Sequence, residues 1–95
     1  MNDIELEELI KTSWELHHLI EASYLANFAT EGDAEWLEKQ RLLLADMALH
    51  LLQTAMKPGS IELDKLKNNI HSILTLSDQF LPNAELKKAT DKIYD

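Results

Sequence analysis

Apolar residues recur along this chain at intervals of three and four, and the pattern breaks in three places. That period marks amphipathic helices, in which one face of a 3.6-residue turn is apolar. The first stretch, about residues 3–29, puts Leu6, Leu9, Ile10, Ser13, Leu16, His17, Ile20, Tyr24 and Phe28 on one broad face. Thr30-Glu31-Gly32 interrupts it, where Gly32 can supply a positive φ. The second stretch, about 34–57, carries two stripes. One is Trp36, Leu37, Leu43, Leu44, Met47, Ala48, Leu51 and Ala55; the other is Leu42, Ala45, Leu49, Leu52 and Met56. Pro58-Gly59 ends it. The third, about 61–80, has a single stripe of Leu63, Leu66, Ile70, Ile73, Leu74, Ser77, Phe80 and Leu81, closed by Pro82. A short fourth, about 84–94, offers only Leu86, Ala89 and Ile93.

Side chains that can cap a helix precede each stretch: Asn2 with Glu5 three residues on, then Asp33, Ser60 and Asn83. Breaks of about three residues make consecutive helices antiparallel neighbours. The expected fold is therefore all-α, an antiparallel helical bundle of three main helices plus a short C-terminal helix, in a single domain over 1–95. Composition agrees with it. Eighteen leucines, no valine, two glycines and two prolines favour helix over strand.

The two stripes of the second helix demand burial on most of its sides. The first two helices, at about 24–27 residues, run roughly 36–40 Å, longer than their partners. The pattern predicts leftover apolar surface: His18, Ala22, Leu25 and Ala29 on the first helix, and Leu42, Leu49, Leu52 and Met56 on the second. Contiguous exposed apolar surface marks a protein interface, and a C2 homodimer is its simplest form.

Charge is unevenly placed. The net value is −8, from 17 acids and 9 bases. Residues 1–39 hold ten acids and two bases, and residues 40–95 hold seven of each, so the whole excess lies in the first part. Direct nucleic-acid binding needs a basic stripe and is excluded as a class; docking on an anionic membrane is excluded likewise. Asp3, Glu7, Glu8, Glu15 and Glu21 form a candidate acidic surface. It either solubilises the protein or imitates phosphates against a basic-grooved enzyme or repressor, as in acidic inhibitors of phage or plasmid type.

Candidate chemistry is sparse. The chain has no cysteine, no Gly-x-Ser-x-Gly elbow, no glycine-rich phosphate loop, and one arginine, Arg41. Glu15-Leu16-His17-His18 holds one Glu-x-x-His, where di-iron bundles need two. Histidine phosphotransfer domains are helical bundles of this size, but need basic and small residues one turn past the histidine; here Glu21 would repel a phosphoryl group. Across a turn centred near Gly32, residues whose numbers sum to about 64 lie level. That puts His17 near Asp46, His50 near Trp14, and Phe28 opposite Trp36. His17/Glu21 and Asp46/His50 are i, i+4 pairs, a spacing that suits ligands on one face. The helical phase directs Asp46 away from the main apolar stripe, so it reads as a surface Asp–His pair. No metal and no cofactor are expected.

The sequence thus predicts a small acidic helical interaction or regulatory module. It would be homodimeric, without catalytic activity, and would act on a protein partner. The expected location is the cytoplasm. The opening Met-Asn-Asp-Ile-Glu-Leu-Glu-Glu lacks the basic start of a secretory leader. The longest apolar run, Leu42–Ala45, is far short of the roughly 20 residues that span a bilayer.

Overall fold

The computed structural model describes residues 1–94, which contain four helices and no strands. They are α1 (Asp3–Ala26), α2 (Trp36–Met56), α3 (Leu63–Asp78) and α4 (Leu86–Ile93), three long elements and a short one. No helix among the described residues is long and apolar enough to cross a membrane.

The start of α1 follows its sequence signal. Asn2 Oδ1 accepts from the Glu5 amide at 2.8 Å, and Glu5 Oε1 accepts from the Asn2 amide at 3.2 Å. Two of the first-turn amides are thereby satisfied. The other boundaries lie inside the expected ones. Asn27 leaves the helix with an extended backbone, and its Oδ1 accepts from the Ala29 amide at 2.9 Å. Asp33 does not cap α2. Its carboxylate instead accepts from the Thr30 amide at 2.8 Å, closing the connecting loop, so α2 begins three residues later at Trp36. Gly32 does take a positive φ, +98°, but within that loop rather than at the end of α1. Ser60 and Asn83 are likewise displaced as caps: Glu62 and Glu85 hold those positions, neither with a side-chain cap bond. Glu85 is left-handed, with φ +54°, a conformation that crowds any Cβ.

Packing is sequential. α1 touches α2, α2 touches α3, α3 touches α4, and no other pair of these helices is in contact. α2 is the middle helix, in contact with both α1 and α3. The result is a thin layer with Cα extents of 45 × 36 × 16 Å. Its radius of gyration is 15.1 Å, against about 12.4 Å for a compact domain of this length.

The seams between helices mix apolar with polar side chains. On α1 the residues turned toward α2 follow a heptad spacing: Leu6, Ile10, Ser13, His17, Ile20 and Tyr24. Ser13 meets Gln53, His17 meets Asp46, and Tyr24 meets the Lys39 ammonium, 4.7 Å from its ring centre. Between α2 and α3, Gln79 bridges Trp36 and Gln40, and Thr54 Oγ1 donates to Asn69 Oδ1 at 2.6 Å. Tyr94 Oη donates to Asn68 Oδ1 at 2.9 Å, tying the end of α4 to α3. Among the described residues the buried ones are Ser13, Gln40, Asp46 and Thr90, with Leu76 the single apolar one.

Candidate functional site

Two features stand out on this layer: a polar cluster in the α1–α2 seam, and the apolar surface that the layer leaves uncovered.

The cluster is built by two helical pairs meeting face to face. His17 and Glu21 are one turn apart on α1, and Asp46 and His50 one turn apart on α2. Asp46 is the centre. Its Oδ1 lies 2.6 Å from His17 Nδ1, and its Oδ2 lies 3.1 Å from His50 Nε2. His17 Nε2 faces Glu21 Oε2 at 3.2 Å. Trp14 stands edge-on to both imidazoles, with ring centres 5.5 Å from His17 and 6.5 Å from His50. The ring of His18 lies 6.4 Å from Trp14, on the exposed side. Buried polar groups need partners, and the Asp46 carboxylate has one on each oxygen.

This arrangement corrects the expectation of a surface Asp–His pair. Asp46 is 8 % exposed. Asp46 does point away from the apolar stripe, but the seam with α1 runs off that stripe, through residues 39, 43, 46, 50 and 53. The expected closeness of His50 to Trp14 and of His17 to Asp46 is met. The expected pairing of Phe28 with Trp36 is not: α1 has ended before Phe28, which is 89 % exposed. Trp36 instead donates from Nε1 to Gln79 Oε1 at 3.1 Å.

The apolar surface is wide. On α1, Leu25 and Leu19 are each 65 % exposed, and Leu16 and Trp14 are close to half exposed. Of the expected interface residues, His18, Ala22 and Leu25 are exposed; Ala29, Leu42, Leu49, Leu52 and Met56 are half-buried. Leu25 and Leu42 come together with Ile20, Tyr24 and Leu43 around a cavity of about 380 Å³. Leu16 belongs to the broad face of α1 expected to be buried, and Leu19 to no expected face. The signal for Leu19 was its place one turn after Leu16, on the flank of the seam rather than in it.

Asp3, Glu7, Glu8, Glu15 and Glu21 are all exposed. Of these, Glu21 is committed to His17. At the turn from α2 to α3, Glu62 lies between Lys57 and Lys65. Hydrogen bonds from the two ammonium groups hold its carboxyl below the usual glutamate range. These three residues and His50 line a groove of about 460 Å³ that runs from Trp14 on α1 to Asn68 and Asn69 on α3.

Compared with protein-family models, with curated proteins and with solved structures, the chain matches none.

Proposed function

We propose that this chain is a small, acidic helical interaction module that works as a homodimer and binds rather than catalyses. Two copies would complete an antiparallel bundle, each supplying the layer that the other lacks.

The observation that carries this reading is the surplus of surface. A chain of 10.9 kDa folded as a compact monomer has an accessible surface of about 5,600 Å². This chain has 6825 Å². The surplus, about 1,200 Å² per protomer, exceeds the roughly 800 Å² per partner of a standard interface. Stable domains enclose a core between at least two layers, and a single chain here encloses little. The exposed leucines and the Leu25–Leu42 cavity supply apolar contact. The acids of α1 would lie around it and keep the assembly soluble.

Size-exclusion chromatography with light scattering at tens of micromolar tests the reading. The expected mass is about 22 kDa, twice 10.9 kDa. Leu25→Glu and Leu49→Glu are expected to yield helical monomers. A monomeric wild-type mass, together with no binding of a hydrophobic-patch dye, would overturn it.

A further inference from the structure

We propose that His17, Asp46 and His50 form a binding site for a divalent transition ion of the zinc class, which pins α1 to α2. The inference does not depend on the dimer.

The donor atoms are in place. One ligand atom from each of the three residues can be chosen so that all lie within 4.8 Å of one another. Zinc bonds of about 2.1 Å in tetrahedral geometry separate neighbouring donors by about 3.4 Å. Asp46 reaches both imidazoles, with Oδ1 2.6 Å from His17 Nδ1 and Oδ2 3.1 Å from His50 Nε2, and each pair opens by less than about 1 Å to admit an ion. The widest pair closes by at most about 1.4 Å, a change within reach of side-chain rotation. Two imidazoles and one carboxylate suit zinc and its neighbours, and do not suit calcium or magnesium, which take oxygen ligands.

Hydrogen-bond accounting points the same way. A neutral imidazole has one N–H, yet both ring nitrogens of His17 face carboxylate oxygens. With the N–H on Nε2, donating to Glu21, the lone pair of Nδ1 is turned toward Asp46 and can bind a cation there. The Glu21 carboxylate then plays the part found around most metal-bound histidines, where the second ring nitrogen donates to an acid. Trp14 fixes both rings edge-on. The ion has a route in, because His50 is about one-third exposed and lines the 460 Å³ groove. Three protein ligands leave a fourth position for water.

The test is a zinc titration of the full chain by calorimetry, repeated with cobalt followed by visible absorption. One ion per chain is expected, with the intense d–d bands of tetrahedral cobalt. Asp46→Asn and His50→Gln are expected to weaken binding at least about 100-fold, and Glu21→Gln about 10-fold. His18→Gln and His71→Gln should leave it unchanged. Circular dichroism confirms that each variant is folded; should Asp46→Asn unfold, His50→Gln, at a position about one-third exposed, carries the test alone. No heat at millimolar zinc, or stoichiometric binding that survives His50→Gln, would overturn the proposal.

Discussion

Ser13 and Gln53 meet across the α1–α2 seam at 3.1 Å, and the Ser13 hydroxyl both donates and accepts there. Oγ donates to the Ile10 carbonyl at 2.6 Å and accepts from Gln53 Nε2. Ser13 is also the most buried side chain named in the seam, at 2 % exposure. Ser13→Ala should therefore cost about 1 kcal/mol, the usual net worth of one part-buried bond. Ser13→Leu should cost more, about 1–3 kcal/mol, because the extra volume must part the two helices. Urea unfolding of both variants distinguishes the bond from the space.

Gln79 does comparable service between α2 and α3. It accepts from Trp36 Nε1 and donates to Gln40 Oε1, each at 3.1 Å. Gln40 is 4 % exposed, so Gln79→Ala leaves it without this partner in a dry position. The expected loss is about 1–3 kcal/mol. In a Trp14→Phe background, the emission of Trp36 should shift to the red as its indole N–H turns to water.

Glu85 offers the opposite opportunity. Its left-handed backbone precedes α4, and its ion pair with Lys88 joins two exposed side chains. Such a pair contributes little. Glu85→Gly removes the Cβ crowding, and part of that gain is offset by the freer unfolded chain. A net stabilisation of about 0.5–1 kcal/mol is expected, seen as a raised melting temperature and slower amide exchange in α4.

The Lys57–Glu62–Lys65 group has a defined pH signature. The carboxyl of Glu62 is held down by both ammonium groups, so the folded state favours its ionised form. The contribution is present above the ordinary glutamate range and lost as pH falls through the lower, folded value. The gap in stability between wild type and Glu62→Gln should be constant from about pH 7 to about pH 5 and shrink toward about pH 3. It should also shrink in about 1 M salt, because these groups face solvent. Chemical unfolding across that range is the measurement.

The four helices were legible because leucine spacing and the breaks at Gly32, Pro58-Gly59 and Pro82 act locally. So was the Asn2–Glu5 box, which depends on two residues three apart. Boundaries were less legible at Asp33. An Asp before a helical run reads as a cap, but the same oxygen can accept from the Thr30 amide, and chain direction in the loop decides between them. Asp46 was misread for a different reason. A wheel centred on leucines assumes that helices meet along their apolar stripes. In this chain the α1–α2 seam is occupied by Ser13, His17, Asp46 and Gln53, and many leucines lie to the side. The i, i+4 pairing of His17 with Glu21 and of Asp46 with His50 was visible; that the two pairs would meet depended on how α1 rolls on α2. Phe28 failed with the helix end, since three residues fewer of α1 remove it from any face.

Contacts confined to helices adjacent in the chain also govern how the fold forms. Joining α1 to α2, or α2 to α3, requires closing only a short loop, and no contact waits for the two ends of the chain to meet. Chains dominated by such near-neighbour contacts fold on the microsecond-to-millisecond scale. A hairpin formed first at either end can serve as the template for the next helix. Formation of the layer should then be fast and independent of protein concentration. A phase that scales with concentration would report two finished layers finding each other, the association proposed above.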